Sequence, residues 1–570
     1  MKKTKIAGLI LGIGIFVVLL LMLVPEGMKC NSSIAVDVIE GNIIDVHHRE
    51  IFEGSVKIED GVIVAIDRHP TASKEYILPG FVNAHVHIES SMLTPENFGR
   101  IAIKQGTVAV VSDPHEIANV MGMEGIGFMV KNSKKSPLKT FYTIPSCVPA
   151  TPFDVAGSVI SAADVERLAA SGQFVGLSEM MNVPGVLSAD SGVMAKLAIA
   201  KKYGLPIDGH APLLRGENLA IYVNNGISTD HECVALEEAE EKLSLGMKVL
   251  IREGSAARNY EALKSLIESN PDDVMFCTDD SHPYEIISLG HIKKLVVRSV
   301  ANGFDLFDVL KIASINPIRH YKLDVGQLRV GDKADFIVVD NIKAFNIQQV
   351  YINGKAQIGN KETPSEVVSI NNFKHENMDV SALRKGVAGS IKVISIVPGE
   401  LLTTIGKYKP LHPTGNLESD TSSDIAKIVY INRYNNGVPQ IAFCKGFLLK
   451  KGAFASSVSH DSHNIIAVGC SDKDLVGAIN AIIEHKGGLS ACSDGNTEIL
   501  PLPIGGIMSN CSGEKIAADY DRLEKQVKQM GSELDAPFMT LSFLSLVVIP
   551  ELKIGEKGLF SYTDFDWIKQ

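Results

Sequence analysis

Between residues 79 and 324 the chain repeats one pattern eight times: an apolar run of strand length, then a stretch with helical periodicity. The apolar runs end near His87, Pro114, Pro145, Glu179, His210, His231, Arg252 and Asp279. Helical stretches follow, such as 163–170, 193–203, 236–245 and 260–268, and an amphipathic 286–301 comes after the last run. Strands of a parallel sheet are covered on both faces and so read as near-continuous apolar runs. Eight strand-then-helix units in about 240 residues match the count and length of a (β/α)8 barrel.

The flanks differ from this repeat. Asp60-Gly61 lies between two β-branched stretches and predicts a hairpin, and residues 326–340 and 350–354 have the same strand-and-turn character. Two β-rich pieces around a long middle predict an α/β chain. A small β-sandwich domain (30–78 and 325–360) is interrupted by the barrel (79–324) and followed by an α+β C-terminal domain (370–570). Residues 1–29 form a separate segment. Lys2, Lys3 and Lys5 precede an uncharged run, 6–24, long enough to span a bilayer. The lysines would stay on the cytoplasmic side. A membrane-anchored or exported enzyme is therefore expected, with a cleaved signal, or a cytoplasmic chain starting at Met28, as alternatives.

The net charge of -11 argues against nucleic acid as a partner, because tracking phosphates needs a basic excess. The eight cysteines form no CxxC pair, which excludes a zinc ribbon and favours buried free thiols.

Barrel enzymes place their chemistry where strands end, and here those ends are rich in metal-ligand types. Strand one ends in His85-Val-His87, whose alternate residues point the same way and can grip one cation together. Strand four ends at Glu179, strand five at His210, strand six at His231-Glu232 and strand eight at Asp279-Asp280. A single strand-end histidine is more often a hydrogen-bonded core residue, but ligand types at five of eight ends are not coincidence. His85, His87, Glu179, His210, His231 and Asp279 are the candidate metal ligands. Imidazole and carboxylate donors without thiolate suit zinc, iron or manganese. Adjacent strand residues face opposite ways, so of Asp279 and its rival Asp280 only one is expected to face the barrel interior. Asp113, His115 and Glu116 end strand two. They are read either as a capped proline turn or as a supporting or extra metal group. His460 and His463 flank Asp461 and are read as surface histidines, with reach to the site from a packed domain or a neighbouring subunit as the alternative.

Pro79-Gly80-Phe-Val-Asn-Ala-His-Val-His87, two separated histidines and a late Asp resemble the amidohydrolase superfamily. The flanks Ser112-Asp-Pro-His-Glu116, Glu179-Met-Met-Asn182 and Thr229-Asp-His-Glu232 are similar to adenine deaminases, as are Ser459-His-Asp-Ser-His-Asn464 and Leu502-Pro-Ile-Gly-Gly506. The resemblance implies a binuclear Mn2+ or Fe2+ centre, with Zn2+ also suitable, and a Glu179 bridge where relatives without a strand-four lysine need an anion. It also implies hydrolysis of adenine to hypoxanthine and ammonia in purine salvage, by a homo-oligomer. Water activated by the metal would attack C6 of the purine. Asp279 would move the proton to the leaving amine, and His231 or His210 would polarise the developing charge. The alternatives are another amidohydrolase, such as a cyclic amidase or an N-acetyl-sugar deacetylase, or a membrane-tethered binding protein without turnover.

Overall fold

The structure is a computed structural model that describes residues 37–255, 257–359, 369–386, 389–410 and 416–568. Four strands lead in: Asp37–Asp45 (β1), Glu50–Glu59 (β2), Val62–Arg68 (β3) and Tyr76–Pro79 (β4). The β2–β3 hairpin turns at Asp60 and Gly61, both with positive φ (48° and 80°). That is the pattern that matches the twist of paired strands. A Cβ on Gly61 would lie 2.7 Å from the Asn353 carbonyl oxygen, so only glycine fits the approach.

The eight predicted units follow. Phe81–His87 (β5), Thr107–Ser112 (β6), Lys139–Ile144 (β7), Phe174–Met180 (β8) and Ile207–Gly209 (β9) pair in parallel and in sequence order. Thr229–Asp230 (β10), Lys248–Arg252 (β11) and Val274–Cys277 (β12) form a second parallel set. A parallel bridge between Ile207 and Ile227 links the two sets. Asp279–Asp280 (β13) leaves β12 and pairs with β5, with Asp280 opposite His87, so the eighth strand returns to the first. Every residue of β5 and β6 is buried, which explains why β6 reads as an apolar run from Val108 to Val111 and why the polar residues of β5 have to find partners inside the protein.

Polar groups also tie strand eight to strand one. Asn83 donates to Thr278 Oγ1 (2.7 Å) and to His291 Nε2 (2.9 Å), and Thr107 Oγ1 lies 2.8 Å from His291 Nδ1. Burial pushes His291 down to about 3, so the ring is neutral. Its Nε2 accepts and its Nδ1 donates, which fixes the tautomer.

Phe336–Val339 (β14), Ile347–Ile352 (β15) and Lys355–Ala356 (β16) complete one seven-stranded sheet, ordered β16-β15-β14-β4-β1-β2-β3. The two β-rich flanks of the sequence thus meet in one layer, with Leu78 opposite Ile337. The C-terminal part is an eight-stranded sheet. Its strands are Ile391–Ile396 (β17), Thr403–Tyr408 (β18), Ala426–Ile431 (β19), Gln440–Lys445 (β20), Ala453–Ser456 (β21), Ile465–Gly469 (β22), Gly488–Ser493 (β23) and Asn496–Pro501 (β24). The helix Asp472–His485 packs its apolar stripe on this sheet through Leu475, Ile479 and Ile482.

Two expectations change. The membrane-anchored or exported location is corrected: among the described residues no helix is long and apolar enough to cross a membrane, and the run 6–24 lies outside them. His460 and His463 are not surface residues, being each only 1% exposed, because the loop that carries them is folded inward over the barrel mouth. The free-thiol reading agrees with Cys147, Cys233, Cys277, Cys444 and Cys492, all buried and unpaired.

One buried cation fixes the loops after strands five and six. Lys242, 0% exposed, donates to the Ala211 carbonyl (2.8 Å) and to Glu238 (2.7 Å), and stands 3.1 Å from Asp230. Asp230 in turn accepts from the Ala211 amide (2.9 Å) beside His210. Lys242→Met leaves two buried carboxylates without their cation and is expected to cost about 3–5 kcal/mol. Chemical denaturation of the variant beside the parent chain measures it, and a loss below ~1 kcal/mol contradicts this account.

Candidate metal centre

The strand ends converge. His85 and His87 place their Nε2 atoms 3.2 Å apart, and these lie 3.4 and 3.1 Å from Asp279 Oδ1. Glu179 Oε1 joins them, 3.1 Å from His87 and 3.9 Å from His85. The other oxygen of the same carboxylate faces a second set: Oε2 stands 2.7 Å from His210 Nδ1 and 3.3 Å from His231 Nε2. Donors bound at about 2.1 Å to one cation stand roughly 3–3.5 Å apart. Both groups therefore have the spacing of a coordination shell, with Glu179 common to the two. All six sequence-predicted ligands come together, each less than a tenth exposed.

The donor set and the charge also fit cations. The cavity at the barrel mouth is lined by six carboxylates, Glu116, Glu179, Glu232, Asp279, Asp280 and Asp461, and among the described residues the one arginine beside them, Arg252, serves only Glu232 and Asp279. Buried carboxylates at this density need positive charge from elsewhere. Burial alone pushes Glu179 up, but the His210 charge and hydrogen bonds from His210, His231 and His87 outweigh it and hold the carboxyl well below its ordinary range. His87 is oriented from behind, its Nδ1 donating to the Asp113 carbonyl (3.1 Å), which leaves Nε2 for the cavity.

Strand-eight alternation does not hold. Asp279 adopts φ 54°, in the left-handed region, so the backbone turns between the two acids and both line the cavity. Strand parity predicted that only one would. Asp279 Oδ2 accepts from Arg252 (2.7 Å), and Ser90 donates to Asp280. Burial and the neighbouring Asp279 charge push Asp280 up to about 6.

Strand two contributes more than a turn. His115 Nδ1 bonds Asp113 (2.7 Å) and stands 3.6 Å from Glu179 Oε1, and Asp113 also caps the His115 amide (3.1 Å). Glu116 lies between two imidazoles of the C-terminal part: Oε1 is 2.7 Å from His460 Nδ1, and His463 Nε2 contacts Oε2.

Sequence reasoning passed over Glu232 and Arg252. Glu232 stands 3.4 Å from His231 Nε2 and 3.6 Å from His210 Nδ1, and Arg252 pairs with it as well as with Asp279. The signal was available, since Arg252 ends strand seven as the ligands end theirs. Its positive charge disguised it in a search for metal donors. Arg252→Met should leave both acids without their shared cation. Outer partners of this kind are worth 10–100-fold in metal affinity, so the variant is expected to lose its metal to a chelator at about 10–100-fold lower chelator concentration. Parent-like retention would contradict the assignment.

Comparison with known proteins gives the family. Residues 76–356 match the amidohydrolase family, and residues 400–566 match the adenine deaminase C-terminal domain. An adenine deaminase of Methanosarcina mazei is 49% identical over 545 residues, covering 93% of this chain and 98% of the relative. Adenine deaminases of Sulfurovum sp. and Borreliella burgdorferi are 46% and 45% identical, with 93% of this chain covered and 98% and 99% of theirs. Similarity of that extent, carried through both matched regions, shows that the chain belongs to the adenine deaminase family of amidohydrolases.

Proposed function

We infer that the chain catalyses the hydrolytic deamination of adenine to hypoxanthine and ammonia, in the manner of its family. The observation that carries the reading is the Glu179 carboxylate, one oxygen facing His85 and His87 and the other facing His210 and His231. In this reading His85, His87, Asp279 and Glu179 would hold one divalent ion, and Glu179, His210 and His231 would hold a second. Nitrogen and oxygen donors without thiolate favour Mn2+ or Fe2+, with Zn2+ also compatible. When bound, such ions supply a water acidic enough to lose its proton near neutrality.

The chain's own groups do the rest. Asp279 is assigned a double role, holding metal through Oδ1 and carrying a proton towards the leaving amine, while Arg252 fixes its Oδ2. Asp280, held by Ser90 on the same cavity, is the rival carrier. His231 or His210 polarises the charge that develops on the ring. Leu401, Phe543 and Leu546 give the cavity an apolar wall that excludes bulk water and suits the face of a flat heterocycle. We also assign the reaction to purine salvage and the chain to a homo-oligomer.

Metal-loaded protein is expected to shift the ultraviolet spectrum of adenine to that of hypoxanthine with stoichiometric ammonia. Turnover of dihydropyrimidines or acetylated sugars with adenine untouched would overturn the assignment. Within the site, Glu179→Gln should lose both metal and activity. Asp279→Asn should lose at least ~100-fold in kcat, the size of an acid–base contribution, while retaining much of its metal. If Asp279→Asn turns over normally and Asp280→Asn does not, the proton carrier is Asp280.

A further inference from the structure

Glu116 lies in the first turn of the helix His115–Ser133 that follows strand two of the barrel, and His460 lies 344 positions later in the loop between β21 and β22. They meet at 2.7 Å, Glu116 Oε1 to His460 Nδ1, with both side chains 1% exposed. The imidazole is fixed on its other sides. The Phe543 ring stacks on it at 4.4 Å with only 7° between the planes. The His460 amide donates to the Ser542 carbonyl (3.1 Å), and Ser545 Oγ donates to the His460 carbonyl (3.2 Å). The ring is thus held by a buried carboxylate and a stacked phenyl, on a backbone fixed at both its amide and its carbonyl, which is the preorganisation of a group held for a purpose.

Its far nitrogen is left over. His460 Nε2 is buried and has no hydrogen-bond partner among the described residues. A buried polar atom without a partner is uncommon in a finished structure and calls for an explanation. The ring also lines the cavity shared by His87, Glu179, Asp279 and Asp280, with Phe543, Leu401 and Leu546 as the apolar wall. A ligand entering there meets the metal-site carboxylates and imidazoles on the barrel side, and on the other an apolar wall with the His460 ring beside it. A purine, apolar on its faces and studded with nitrogens round its rim, has the matching chemistry.

We propose that His460 is a substrate-contacting residue of the deamination site, anchored to Glu116 through Nδ1 and hydrogen-bonded through Nε2 to a ring nitrogen of the purine. The proposal rests on adenine as substrate. It gives the C-terminal sheet a part in the chemistry, since its β21–β22 loop brings His460 and Asp461 to the cavity. A competing use of the same side chains is a further cation held by Glu116, His460 and His463, whose Nε2 contacts Glu116 Oε2. The test separates the two.

Two substitutions divide the ring's functions. His460→Asn puts an amide nitrogen where Nδ1 was and keeps the Glu116 contact. His460→Gln reaches the position of Nε2 and gives the Glu116 contact up. In the full-length, metal-loaded chain both are expected to keep parental metal content and melting temperature. His460→Asn should raise KM for adenine at least tenfold, and His460→Gln should return it to within about threefold of the parent. Inhibition constants for deazaadenines, each lacking one ring nitrogen, should show one analogue that binds the parent about tenfold more weakly than its siblings. That penalty should vanish in His460→Asn. Loss of a metal equivalent in His460→Asn overturns the proposal and makes the imidazole a ligand. So do equal losses in both variants with a lowered melting temperature, or additive losses for every deazaadenine. A parent chain that binds metal but leaves adenine untouched fails earlier, on the activity itself, and takes the proposal with it.

Discussion

A carboxylate at the bottom of a barrel mouth, 2% exposed, is costly unless opposite charge or hydrogen-bond donors surround it. Glu179 meets this by dividing its two oxygens between two sets of imidazoles, one from strand one and one from strands five and six. The rest of the site is arranged about that division. Strand four must end where both sets can reach it, and each set must present nitrogen rather than carbon. The excess of carboxylate on the cavity wall fits the divalent metal that membership of the amidohydrolase family implies.

Holding such a centre takes a frame as exact in its polar contacts as in its packing. The Asn83–Thr278–His291 belt ties strand eight to strand one behind the first set. Lys242 braces the loops behind the second through Asp230 and the Ala211 carbonyl. Arg252 spans from Glu232 to Asp279 and so couples the two halves directly. Each of these cations or neutral rings is buried and held by several partners, which is the condition under which a buried polar group stabilises a fold instead of weakening it.

Much of this was legible in the sequence because period and position are local properties. Eight largely apolar runs pointed to the barrel, and polar residues at five of their ends pointed to the six candidate ligands that the structure brings together. The β-rich flanks were read as a small β-sandwich, whereas the structure joins their strands in one seven-stranded sheet. What failed was what depends on tertiary placement. The parity argument for Asp279 and Asp280 assumed extended backbone, and φ 54° at Asp279 breaks it. His460 and His463 read as surface because nothing near them in sequence shows that their loop folds onto the barrel mouth, 344 residues from its partner Glu116. Arg252 and Glu232 were visible as strand-end residues, yet their worth lies in each other and in Asp279. The apolar run 6–24 was read by length and charge alone, which describe what a segment can do in a bilayer and not where this chain resides.

The central claim is that Glu179 is shared between two metal ions. Anomalous diffraction from crystals of the Mn2+-loaded chain, collected on both sides of the manganese edge, tests it without recourse to activity. The account predicts two peaks flanking the Glu179 carboxylate, one bounded by His85, His87 and Asp279 and the other by His210 and His231. A single peak, or two peaks of which only one touches Glu179, would contradict it.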